Sequence, residues 1–148
     1  MPKIERPRIV LVNRCIFRND ADELLLIQRS ERDRHNPKQW EFPGGKLDIG
    51  QDLSHALERE VVEETGILIE AESQIVAADS YIIGTGPYKG MTYVALIGIG
   101  RAIGGKLKLS HEHDRYAWET EDRALDYDLT IESRKALIIL GKTAISKG

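Results

Sequence analysis

This sequence is nearly without cysteine and has no long apolar run. Cys15 is the only cysteine among 148 residues, so no disulfide can form within the chain. No apolar stretch approaches the ~20 residues that cross a bilayer as a helix, so no membrane partner is expected. The opening Met1-Pro2-Lys3-Ile4-Glu5-Arg6-Pro7 lacks the apolar segment of a secretory signal. Positive charge is not in surplus either: 21 Lys and Arg stand against 24 Asp and Glu, a net charge of −3. A chain of that balance is not expected to hold nucleic acid stably. A small polyanion would need local cations or a metal ion. There is no low-complexity tract, no internal repeat and no linker. These absences leave a soluble cytoplasmic protein with one domain over residues 1–148, long enough to bury a core without staples.

What is present reads as alternating strands and helices. Residues 8–17 are rich in Val and Ile and predict a strand that holds Cys15 as a buried thiol rather than a nucleophile. Asn19-Asp20-Ala21-Asp22 predicts a turn and residues 23–28 a second strand. Residues 30–39 are charged, contain Pro37 and predict a loop, after which Gly44-Gly45 interrupts regular structure. Residues 52–65 have a helical pattern, with Asp52 or Ser54 to cap the start and Gly66 where a left-handed residue closes the end. Strands are predicted over 75–83 and 91–100, a weaker one over 106–109 and a short one over 116–118. A closing amphipathic helix is predicted over 131–146. The order suggests an α/β fold, a mixed sheet covered by helices.

The helix over 52–65 carries an anomaly. Leu53, Leu57, Glu60 and Glu64 follow at the spacing of a buried stripe, and Glu63 stands beside them. Carboxylates at i, i+3 and i+4 share a face and repel, and partial burial adds to the penalty. One reading is a solvated surface where the stripe ends. The other is a divalent cation, since Mg²⁺ takes carboxylate oxygens and shares its shell with phosphates. Arg59 can pair with Glu63 or hold a loop residue, and Gly44-Gly45 lets backbone approach a ligand.

Residues Gly45 to Ile67 resemble the Nudix box, G-x5-E-x7-R-E-U-x-E-E-x-G-U, where U is a bulky aliphatic residue. Gly45, Arg59, Glu60, Val61, Glu63, Glu64, Gly66 and Ile67 fall on their places, and Gln51 stands where the box has Glu. Trp40-Glu41-Phe42-Pro43-Gly44-Gly45-Lys46 and Ser110-His111-Glu112-His113, with Trp118 beyond, are similar to MutT-like members. The resemblance implies a Nudix α/β/α sandwich and hydrolysis of a pyrophosphate bond in a nucleoside diphosphate linked to X. It implies Mg²⁺, with Mn²⁺ as a substitute, on Glu60, Glu63, Glu64 and the Gly44 carbonyl. Glu112 is the candidate for a further metal contact or the general base, and Arg59 for orienting the carboxylates. Lys46 is a candidate for phosphate, with a solvated loop lysine as the alternative. Gln51 keeps the shape of Glu without its charge, so Arg59 is expected to be held less firmly, with Asp48 or Asp52 as compensation.

Substrate choice falls to residues outside the box: the loop 30–39, Tyr81 and its strand, the loop 84–90 and the segment before the last helix, with Asp128 in it. Trp40 and Trp118 can pack in the core or stack on a base, with packing favoured. The MutT-like opening favours a nucleoside triphosphate giving a nucleoside monophosphate and pyrophosphate. Relatives that read oxidised guanine carry an Asn just before or at the last helix, and residues 125–130 have none. Dinucleoside polyphosphates, nucleotide sugars and ADP-ribose are the alternatives, as is a non-catalytic nucleotide-binding module. His111 and His113 would share a strand face, but two ligands make no zinc site. The family allows a homodimer, although no stretch identifies an interface.

Overall fold

The computed structural model describes residues 8–47, 50 and 52–146, with the side chains of 73–78 and 143–146 left aside. Its elements run β1 (Ile9–Arg18), β2 (Leu24–Arg29), β3 (Trp40–Glu41), β4 (Gly44–Lys46), α1 (Leu53–Thr65), β5 (Ile67–Ile82), β6 (Thr92–Gly105), β7 (His113–Glu119), α2 (Glu121–Ala124) and α3 (Ile131–Ser146). The strands form one sheet in the order β3-β2-β1-β6-β5, with β4 added on β1 and β7 on β2. β1 and β6 are parallel over their shared length, and the other pairs are antiparallel.

The period-two rule of strands sorts the core into two layers. Cys15 and Phe17 of β1 and Leu25 and Ile27 of β2 face Leu57 and Val61 of α1. The residues between them, Ile16, Leu24 and Leu26, face Ala136, Leu137 and Leu140 of α3. The sheet is thus mixed and covered by a helix on each face, as the sequence predicts. Cys15 is fully buried.

Helix α1 begins where Asp52 accepts the Ser54 amide at 2.9 Å. It ends at Gly66, whose φ of 74° is the left-handed conformation glycine adopts without penalty. A Cβ there would also lie 2.2 Å from the Lys106 carbonyl.

Several expectations need correction. The fifth strand starts at Ile67, not residue 75; Ile67 and Ile69 point inward while Leu68 and Glu70 point out. Gly44-Gly45 is not an interruption but strand β4, paired with β1. A Cβ on Gly44 would sit 2.0 Å from the Asn13 carbonyl, so glycine permits the close approach. Residues 106–109 do not form a strand. The amides of Lys106, Lys108 and Ser110 instead donate to the carbonyls of Gly66, Thr65 and Glu64 at 3.2, 2.8 and 3.0 Å. Carbonyls in the last turn of a helix lack partners inside it, and this segment supplies them. The last strand runs past both ends of 116–118, and the one-turn helix α2, capped by Thr120, has no counterpart in the sequence reading.

Candidate active site

The site lies where β4 meets the buried side of α1. β4 pairs with β1 through Val12–Lys46, Asn13–Gly45 and Arg14–Gly44. Over this strand stand the carboxylates of α1. A Cβ on Gly45 would be 2.5 Å from Glu60 Oε2, so a larger residue there would push that carboxylate from its place. The Gly44 amide donates to Glu64 Oε2 at 3.3 Å. The glutamates do continue the stripe: Glu64 is 9% exposed, Glu60 is half-buried and Glu63 is exposed.

Burial pushes the Glu64 carboxyl up to about 8, and the charges of Glu41 and Glu112 push it the same way, against Arg14 and the Gly44 amide. A buried acid in a field of other acids is one that a cation would neutralise. The backbone also brings the segment carrying Glu112 to the end of α1 that bears Glu64. The segment 106–110 does this by docking Ser110 on the Glu64 carbonyl just before Glu112.

Arg59 bonds the Glu60 carboxylate at 3.2 Å. Gln51 and Asp48 lie outside the described residues. The donor chemistry fits a hard divalent ion, which takes carboxylate oxygens: Glu60, Glu63 and Glu64 share α1, and the segment before Glu112 docks at its end. Among the described residues, no three acidic, His or Cys side chains are drawn together as a finished ligand cage. A polar side chain without a partner adds to the fit. Asn13 is 1% exposed, and neither its Nδ2 nor its Oδ1 has a hydrogen-bond partner among the described residues. Such groups typically cost about 1–3 kcal/mol.

Beneath the carboxylates runs a buried ionic network. Glu41, 2% exposed, takes Arg29 Nη1 on both oxygens at 2.9 Å, Arg14 Nη1 at 3.3 Å and His113 Nε2 at 2.9 Å. Burial alone would raise its carboxyl, but Arg14, His113 and Arg29 together hold it down to about 2. Arg14 also donates to the Phe42 carbonyl at 3.2 Å and pairs with Glu132 at the start of α3. Glu132 in turn accepts from the Tyr93 hydroxyl at 2.8 Å. Arg29 also bonds Asp33. This network ties β1, β2, β3, β6, β7 and α3 together around the site.

The remaining candidates divide. Tyr81 stacks on Tyr93 with ring centres 4.7 Å apart and remains half-exposed, so one aromatic face borders the Glu132 end of the network. Lys46 Nζ donates to the Tyr88 hydroxyl at 2.8 Å and lies 4.1 Å from that ring's centre. Trp40 packs edge-on against Tyr127 and borders the α3 layer of the core. Asp128 is exposed and accepts from Gln39 at 3.2 Å, while its carbonyl takes the Trp40 amide at 2.9 Å. Trp40 and Asp128 are therefore neighbours of one another. Trp118 packs edge-on against Phe17. His111 and His113 do not share a strand face, because His111 is exposed in a turn and His113 is buried on Glu41.

Sequence reasoning missed Asn13, Arg14, Tyr93 and Glu132. The signal for the first two was available: a polar pair in the middle of the apolar run from Ile9 to Phe17.

Comparison with known proteins agrees with this geometry. The human 8-oxo-dGDP phosphatase NUDT18 is 31% identical over 109 residues, 74% of this chain and 30% of its own length. The chain thus spans about a third of that relative. The nucleoside triphosphatase NudI of Escherichia coli is 28% identical over 133 residues, 85% of this chain and 92% of its own. Among solved structures, a MutT protein from Methanosarcina mazei Go1 superposes with a TM-score of 0.78 at 26% identity, covering 95% of this chain and 99% of that one. The model of the NUDIX domain matches residues 10–138. With that span including both faces of the sheet and the whole acidic helix, the chain belongs to the Nudix family, on its MutT-like side.

Proposed function

We propose that this chain hydrolyses a pyrophosphate bond of a nucleoside triphosphate, releasing a nucleoside monophosphate and pyrophosphate, with Mg²⁺ as cofactor. The observation that carries the reading is the buried Glu64, bonded to the Gly44 amide and set on α1 with Glu60 against the glycine strand β4. The relatives' names, an 8-oxo-dGDP phosphatase and a nucleoside triphosphatase, support a nucleotide substrate.

Glu60, Glu63, Glu64 and Glu112, with the Gly44 carbonyl, would hold the divalent ion. Bound there, it would offset the phosphates' charge and lower the pKa of a water for attack. Arg59 orients the Glu60 carboxylate. Glu112, exposed just past the segment docked on the Glu64 carbonyl, takes the attacking water's proton in this reading. Lys46 stands at the rim as a phosphate partner, released from Tyr88 when substrate enters. The half-exposed Tyr81 offers a face to a base.

The test is a hydrolysis screen with Mg²⁺ or Mn²⁺ over canonical and oxidised nucleoside triphosphates, dinucleoside polyphosphates, nucleotide sugars and ADP-ribose, with products identified by chromatography. Monophosphate plus pyrophosphate from a triphosphate is the expected result. Turnover confined to a two-ended substrate would move the substrate class. Folded Glu63→Gln and Glu64→Gln variants should lose turnover by 100-fold or more, and wild-type rates in both would overturn the site.

A further inference from the structure

Asn13 is out of place in β1. Its strand neighbours on the same face, Cys15 and Phe17, pack against Leu57 and Val61 of α1. A strand interior prefers a β-branched or aromatic residue, and a valine or leucine would satisfy the packing here. Instead the chain buries an amide whose donor and acceptor meet no partner among the described residues. Most buried polar groups are bonded, so an exception calls for a ligand or a water.

The register says what lies next to it. Asn13 is paired with Gly45 of β4. Paired residues of antiparallel strands put their side chains on one face, roughly 5 Å apart at Cβ. The Cβ that Gly45 lacks would touch Glu60 Oε2 at 2.5 Å. The Glu60 carboxylate therefore stands over Gly45, one strand spacing from the Asn13 side chain. Neither amide atom of Asn13 bonds that carboxylate directly, and a single water can bridge neighbouring polar groups that stop short of direct contact.

We propose that Asn13 is a positioning residue of the metal site: its amide holds one water against the Glu60 carboxylate and so fixes the oxygen that Glu60 presents to the divalent ion. The proposal rests on the reading of Glu60 as a metal ligand. Nδ2 has a donor for an oxygen of that pair, and Oδ1 has an acceptor for a water proton. A hydrogen bond of this kind orients a ligand carboxylate without touching the ion. It also accounts for Gly45 beyond its place in the family box: a side chain there would fill the space between amide and carboxylate.

Asn13→Leu and Asn13→Val separate this role from a merely structural one. If the amide serves only the fold, replacing an unpartnered polar group by an apolar one leaves both stability and metal binding intact or improved. If it positions Glu60, the metal-free apolar variants keep or raise their thermal midpoint, yet bind Mn²⁺ about 10–100-fold more weakly. Binding is read by electron paramagnetic resonance of free Mn²⁺ on the full chain without substrate. Asn13→Ser, which keeps a hydroxyl and leaves room for water, should recover part of the affinity. Mn²⁺ affinity within twofold of wild type in the apolar variants would overturn the inference, as would failure of both to fold. Wild-type protein that binds no Mn²⁺ would overturn the metal reading itself, and this inference with it.

Discussion

Glu41 and Glu64 are both buried carboxylates, yet their surroundings push them in opposite directions. Glu41 is met by two arginines and a histidine, and is held as an anion down to about 2. Its ordinary carboxyl value is 4.5. Because the folded value is the lower one, Glu41 contributes stability above about pH 4.5 that is lost as pH falls toward 2. Acid unfolding, followed by circular dichroism, should therefore steepen across that window. In Glu41→Gln that part of the acid dependence should vanish. Removing one member of a buried ionic cluster strands the others, at about 3 kcal/mol. The variant's thermal midpoint at neutral pH should fall by roughly 10 °C. Cys15 is the quieter case: burial pushes its thiol up to about 12. It should stay unlabelled by a thiol reagent at pH 7 in the native protein and react only in denaturant. A flat labelling time course without denaturant is the expected record. The sequence placed Cys15 in the core and the glutamates on a buried stripe. It did not reveal Glu41 as a hub, because its partners lie 12, 27 and 72 positions away in the chain.

Among the segments, the one expected as a strand and found without one has most consequence for the site. Residues 106–110 resemble a strand in composition, with Leu107 and Leu109 alternating against lysines. Alternation reports which side chains face the core, and both leucines do pack there. It does not report where the backbone bonds go, and here they go to the end of α1. Lys108→Pro removes the amide that bonds the Thr65 carbonyl, while the side chain at that position stays outside the core. The expected outcome is a fall in kcat of tenfold or more with little change in KM, because the segment leading to Glu112 would lose its dock on the end of α1. Steady-state kinetics separates the two. Gly45→Ala should act on the other wall of the site. The added methyl would displace Glu60, and Mn²⁺ affinity should drop while the thermal midpoint moves by only a few degrees. The box spacing made Gly45 legible as a motif position, but only the fold shows which atom occupies the space it leaves.

The order of the helices and most strands was legible, since β1, β2, α1 and α3 carry clear periodicity and end signals. The pairing of strands was not. Nothing local in residues 9–18 says that they run parallel to 92–101. That pairing places the first strand of the chain at the middle of the sheet, between β2 and β6. A chain cut before Thr92 should show no cooperative thermal transition, because β1 would lack its longest neighbour. The same arrangement bears on how the protein is made. During synthesis, β1, the glycine strand and the acidic helix all leave the ribosome before β6 exists. At ordinary translation rates that interval lasts several seconds, and an apolar strand meanwhile has no sheet to join. The nascent chain therefore depends on solubility from its charged loops, or on a chaperone, until residue 105 has emerged. Only then does β1 gain the parallel neighbour that sets it at the middle of the sheet.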